Sequence, residues 1–549
     1  MRQIQRFYRL LLVVVAVCGL VGWTALGRLA PTGADSAAVV DLDAKIGLDL
    51  GATVEEVDRL FEDRWADEKI TPAETADELQ VLRRLSLALV GTVPSLAEIR
   101  EFEADTMPDR LRRWTVRLIV DRRFSEYFAE RLAVAFAGEF EQKAPLFTHA
   151  RFEAWLADQL AAGRPYDEMV REMISETGPP TTNAAANFVT AEIVQGEQYA
   201  NRLAARTARA FLGQRIDCAE CHDHPFDHWK QADFQGLAAH FAQVRTRSVG
   251  IEDDADRQHE VEDRKTLKKQ VIEPRVPFHD DWLGEHHSRR QQLAEWITHR
   301  ENRRFLRAIS NRVWGLLFGR SFVAPVDSIP DPREQHDADA TELLDVLAAD
   351  LREHGGDLRR LVLVITSSRP FRMTSTHPLL ETGTAADCER LAAAWGVFPL
   401  MALRPEQLAR SLEQTASIRP LLADENVVTR TRREMWLRKF LADYGSLGEN
   451  ELDEHTDSIP QTIHRMHSRF TRDVSRAEWS NAAGRIAATA PTAAVCLETC
   501  YLVCLTRRPT AAERDHFLTQ FREARSNRSR FVEDIFWTLL NSPEFGWNH

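Results

Sequence analysis

Cys218, Cys221 and His222 stand at the spacing Cys-x-x-Cys-His. On a helical turn, two cysteines three positions apart share one face, where their sulfurs can take the two vinyl groups of a haem. The histidine that follows then offers an imidazole to the iron, and the spacing is the attachment signature of c-type haem. For the sixth iron ligand the sequence offers His240, Met169, Met173 and His287 without ranking them. The same short stretch also holds Asp217, Asp223, His224, Asp227 and His228, which opens other chemistries. Cys218, Cys221, His224 and His228 have the ligand types for zinc, but intervals of three, three and four residues leave little chain to wrap a tetrahedron. Asp223, His224, Asp227 and His228 could instead hold a divalent metal that activates water, which would make this a hydrolase-like site. Cys218 and Cys221 could also close a disulfide, as a structural corner or a redox pair. Phe226 and Trp229 would serve either as walls for a cofactor or as core.

Covalent haem attachment takes place outside the cytoplasm, and the start of the chain bears on that. Arg2, Arg6 and Arg9 precede an uncharged run over residues 10–27. As a helix this run would span about 27 Å, close to the roughly 30 Å of a bilayer core and longer than the apolar part of most cleaved signals. The arginines place the N-terminus inside and the bulk of the chain outside, periplasmic or at the cell surface. Residues 1–30 are therefore expected to be a signal anchor in the membrane, with cleavage after Gly27 or Ala30 and secretion as the alternative. Residues 31–50 read as a linker. Cys18 falls inside the apolar run. Cys496, Cys500 and Cys504 recur every four residues on one helix face and read as buried small apolar groups.

The elements that must position the Cys-His stretch are mainly helices. Thr71-Pro-Ala-Glu74, Ser95-Leu-Ala-Glu98 and Thr510-Ala-Ala-Glu513 each read as a capping box that opens a helix. Leucines near Leu82, Leu118 and Leu344 recur at helical spacing with charges between them. Period-two alternation is scarce, with extended stretches expected only near residues 188–194 and 271–278. Residues 252–270 are dense in both charge signs, which suits a flexible linker or an exposed helix. The expected fold is mainly α and multi-helix, with minor short strands. Two helical domains, 51–250 and 285–549, flank a charged linker at 251–284. Arg312 reads as a buried ion-pair partner and Trp314 as core.

Hydrophobic residues make up 44% of the 549 and charged residues 28%, the balance of a packed chain. The formal charge of -13 gives no basic surface for nucleic acid. The chain has no Gly-x-Ser-x-Gly elbow, no Walker loop, no dinucleotide fingerprint and no His-Glu-x-x-His, so the enzyme classes built on them lose support.

The stretch Phe211-Leu-Gly-Gln-Arg-Ile-Asp-Cys-Ala-Glu-Cys-His-Asp-His-Pro-Phe-Asp-His-Trp-Lys resembles the signature of a planctomycete family, the domain of unknown function numbered 1549, associated with cytochrome c domains. Leu82-Arg-Arg-Leu-Ser-Leu-Ala-Leu-Val-Gly-Thr-Val-Pro and Arg164-Pro-Tyr-Asp resemble its other landmarks. Downstream, Leu293-Ala-Glu-Trp-Ile-Thr, Asn311-Arg-Val-Trp-Gly-Leu-Leu-Phe-Gly-Arg and Leu540-Asn-Ser-Pro-Glu-Phe resemble its usual partner, numbered 1553. Asp339-Ala-Thr-Glu-Leu-Leu-Asp departs from the partner's Ser-His-Pro-Glu-Leu-Leu-Asp pattern, and Ser368-Arg-Pro-Phe replaces a tyrosine-bearing form. The resemblance implies association with a cytochrome or other redox partner and assigns no reaction. With the spacing of Cys218, Cys221 and His222, the expectation is a membrane-anchored carrier or dock for haem c in electron transfer. A metal-dependent enzyme and a disulfide-pinned scaffold remain the alternatives.

Overall fold

The computed structural model describes residues 42–47, 49–138, 147–193, 198–247, 250–262, 267–286, 288–331, 338–421, 427–445, 447–448, 452, 458–523 and 527–549. Helices account for 65% of the structure, with a few short strands. The apolar run at residues 10–27, with Cys18, lies outside the described residues. Among the described residues no helix is long and apolar enough to cross a membrane.

One continuous apolar cluster runs through both halves of the chain, joining Leu82, Phe128 and Phe211 to Trp314, Leu363, Cys500 and Phe536. At its centre is the helix Glu78–Val90. Asp77 caps it by accepting from the Leu79 amide at 2.9 Å, and from Val81 to Val90 every residue is buried. A helix apolar all round belongs inside a core. Two arginines interrupt its apolar surface, and both are buried. Arg83 donates to the carbonyls of Cys504 at 3.2 Å and Phe545 at 3.1 Å. Arg84 donates to the carbonyls of His549 at 2.8 Å and Phe371 at 3.1 Å, with its guanidinium 3.7 Å from the Phe398 ring centre. Burial lowers Arg83 to about 10 and Arg84 to about 9. These bonds carry the helix across to the last residues of the chain, because a buried guanidinium must find acceptors.

The expected helix starts at Ser95 and Thr510 are present as reciprocal caps. Ser95 pairs with Glu98, and the Thr510 amide donates to Glu513 at 2.7 Å. Thr71-Pro-Ala-Glu74 does not start a helix. The Ala73 amide donates to Gly396, Ala76 donates to Arg372, and Thr374 donates to the Glu74 carbonyl. Extended pairing with a distant segment thus takes the backbone groups a first turn would need, and the helix waits for Asp77.

The stretch expected to be extended near residue 188 is the helix Asn187–Ile193, with Asn187, Phe188, Val189 and Ala191 buried. Among its described residues, the charged run at 252–270 forms strands and turns in place of a helix. It contributes to two antiparallel hairpins, β1 (Val244–Arg247) with β2 (Gly250–Asp253) and β3 (His259–Glu262) with β4 (Lys269–Ile272). Its mixed charges are cross-strand partners: Arg245 faces Glu252, Glu262 faces Lys269, and the Lys269 ammonium lies 3.1 Å from Glu260. Opposite charges at such positions stabilise exposed hairpins modestly. A third small pairing, β5 (Met401–Ala402) with β6 (Trp547–Asn548), joins the end of the chain to its middle.

Candidate functional site

The helix Tyr199–Thr207 runs into a π-helical turn, Ala208–Leu212, that stops at Gly213. Gly213 has φ 63°, and a Cβ there would lie 2.8 Å from the Ile329 methyl, so both backbone and packing call for glycine. Past Ile216 the chain makes the 3-10 turn Asp217–Glu220, loops outward, and returns at Trp229 to enter the helix Gln231–Ala239. The turn is pinned from below by Ile216, Ala219 and Trp229, all buried. Its chemistry-bearing side chains face the other way: Cys218, Cys221, His222, Asp223, Asp227 and His228 are exposed and His224 is half-buried.

Cys218 and Cys221 are free thiols. Cys496, Cys500 and Cys504, by contrast, are each 0% exposed on the helix Ala493–Leu505, as their spacing predicts. A thiol kept for packing behaves as a small hydrophobe and is buried, so the two exposed thiols are not explained by packing.

The backbone of the turn is held by side chains from three elements. The Glu220 carbonyl accepts from Gln235 at 2.8 Å, and the Gln235 amide oxygen accepts in turn from His259 Nε2 of β3 at 2.7 Å. The Glu220 carboxylate accepts from Asn201 at 3.0 Å. Asp223 accepts from the Gln231 amide at 3.0 Å, and the His224 amide donates to the Trp229 carbonyl at 2.8 Å, closing the loop. His222 donates from Nδ1 to the Asp223 carbonyl at 2.7 Å. A carbonyl can only accept, so Nδ1 carries a proton, and in the neutral ring the lone pair then lies on Nε2, the tautomer seen in metal-bound imidazoles.

His228 is differently placed. Its Nδ1 meets Asp227 at 2.6 Å and its Nε2 meets Asp331 at 3.3 Å, while its ring packs 4.6 Å from Trp229. Asp331 is buried and takes both oxygens to Arg304 at 2.5 Å. Among the described residues no three His, Cys, Asp or Glu side chains gather as metal ligands would. Thus neither Cys218, Cys221, His224 and His228 nor Asp223, His224, Asp227 and His228 come together around one point.

Cys218, Cys221 and His222 present two accessible thiols and an imidazole on one turn, the donor types that covalent haem would take. The described sixth-ligand candidates are all enclosed. Met169 and Met173 are buried in the core on the helix Tyr166–Ser175. His240 is 1% exposed, donates from Nδ1 to the Gly236 carbonyl at 3.0 Å, and is lowered to about 4 by burial. His287 lies outside the described residues. Of the two aromatics beside the motif, Trp229 is core and Phe226 is 95% exposed.

Sequence reasoning missed Gln235, His259, Asn201, Asp327 and Asp331. These are ordinary polar residues at no motif spacing, and only the fold brings them to the turn. Asn311 has a role that spacing did not give. Its side chain accepts from the Val323 amide at 2.9 Å and donates to the carbonyls of Val323 at 2.8 Å and Val326 at 3.2 Å, fixing the segment that leads to residues 327–331. Trp314 is core, stacked 4.4 Å from Phe318.

No curated protein and no solved structure matches the chain. Two family models do, both described as proteins of unknown function. By their match and their order, the chain belongs to the proteins that join a PSCyt2 (DUF1549) region, here residues 56–246, to a PSD1 (DUF1553) region, here residues 289–419.

Proposed function

We propose that this chain carries or docks a c-type haem at Cys218, Cys221 and His222 and serves electron transfer outside the cytoplasm, held to the membrane through residues 10–27. The observation that carries the reading is the contrast among the cysteines. Three are sealed in the core, while two free thiols and the adjoining imidazole stand exposed on one turn braced from beneath. When bound, haem supplies one-electron chemistry at the iron. The protein's part is to present Cys218 and Cys221 on one surface and, through the bond from His222 Nδ1 to Asp223, to orient the ring and select the tautomer whose lone pair is on Nε2. His240, Met169 and Met173 are enclosed in the core, so the residues that would hold the group are Cys218, Cys221 and His222.

The test is a haem-stained denaturing gel with a pyridine haemochrome spectrum, on protein exported alongside a c-type maturation system. Covalent haem that disappears in the Cys218→Ala, Cys221→Ala double variant is the expected result. Absence of haem under competent maturation rejects the reading.

A further inference from the structure

The turn that bears Cys218, Cys221 and His222 lies in the DUF1549 region, yet much of what holds it comes from the DUF1553 region. Gln214 donates to the Ile329 carbonyl at 2.6 Å, a bond between residues 115 apart in sequence, and the Ile329 amide donates back to Gly213 at 2.9 Å. Arg215 reaches Asp327 at 2.6 Å. Where the loop returns, His228 meets Asp331 at 3.3 Å, and Asp331 is locked by Arg304, whose guanidinium lies 4.2 Å from the Phe278 ring centre. Residues 327–331 therefore grip the loop where it leaves the core and again where it comes back.

We propose that residues 327–331 are a positioning strap for the Cys-x-x-Cys-His turn, with Arg215 and His228 as its two points of attachment. The inference rests on the reading that this turn is the functional site, and it gives the DUF1553 region a task at a site whose motif lies in DUF1549. Between the attachment points the turn rests on Ile216 and Ala219 and on the props at Glu220 and Asp223, and the two grips add to these in setting how rigidly the thiols and the imidazole are presented. Arg215 and His228 are partly exposed, and their loss leaves the Arg304–Asp331 pair intact, so the fold tolerates their removal.

The test is amide hydrogen exchange by mass spectrometry on the full chain with its thiols free, comparing wild type, Arg215→Ala with His228→Ala, and Arg215→Lys alone. In the double variant, exchange across residues 214–229 rises by about 5-fold or more while the helix Ala493–Leu505 is unchanged, as expected for local opening. Arg215→Lys, which keeps the charge, stays within about 2-fold of wild type because its cation still faces Asp327. No rise over 214–229, or a rise shared equally by Ala493–Leu505, overturns the strap. The readout needs no haem: a chain that never attaches haem can still show the strap, and one that does can still lack it.

Discussion

His240 closes the helix Gln231–Ala239 as a neutral imidazole, with its Nδ1 proton given to Gly236 and its ring sealed from water. Protonation at Nε2 would put a cation into the core, with Arg289 adding repulsion, and the group is lowered from 6.5 to about 4. The unfolded chain takes its proton near pH 6.5 and the folded chain only near 4, so between those values the unfolded state binds more protons and stability falls as pH falls. One-group linkage over this window gives about 2 kcal/mol lost between pH 7.5 and 5.0, approaching about 3 kcal/mol below pH 4. His259 and His549 are also lowered by burial and act in the same direction, so the contribution of His240 has to be read as a difference. His240→Gln keeps a donor for Gly236 and removes the titration. Thermal unfolding at pH 7.5 and 5.0 should show wild type losing about 2 °C more than the variant. Parallel losses in the two proteins would refute the account of His240 as a buried neutral group. Haem attachment, scored on the same variant, should be unchanged, since its covalent bonds would be made at Cys218 and Cys221 and not at His240.

Native-state labelling with a small maleimide should modify Cys218 and Cys221 within minutes and leave Cys496, Cys500 and Cys504 untouched until denaturant is added; equal rates would contradict the burial contrast. Gly213→Ala should cost about 1–3 kcal/mol, from a left-handed backbone and contact with Ile329, and a variant as stable as wild type in thermal unfolding would remove the need for glycine there. Trp314→Ala empties a site stacked on Phe318 and Phe61 and should cost about 3–5 kcal/mol in the same assay, while an unchanged midpoint would place this tryptophan outside the core.

Local signals in the sequence were readable wherever short-range physics decides the outcome. Ser95 and Thr510 cap helices because the hydroxyl and the glutamate three residues later satisfy each other. The three-cysteine stripe is buried because one helix face repeats near every fourth residue. The same capping pattern at Thr71 misled, since Ala73, Ala76 and Glu74 bond instead to backbone some three hundred residues away. The hairpins β1–β2 and β3–β4 were hidden because each strand is only four residues long, too short for any alternation to stand out within a run dense in charge. At the site, the chemical types of Cys218, Cys221 and His222 were plain from spacing. The grip of residues 327–331 was not, because no pattern in Asp327, Ile329 or Asp331 announces a partner more than a hundred positions earlier.

The bonds from Arg83 and Arg84 to Cys504, Phe545 and His549 have a consequence in time. A ribosome releases the helix Glu78–Val90 long before it has made the carbonyls that these arginines need, which lie 421 to 465 residues later. Through that interval the leucines of the helix have no finished core to enter, and contacts this distant in sequence close slowly. The nascent chain must stay unlocked, with an apolar segment for chaperones to shield, until residues 504–549 emerge.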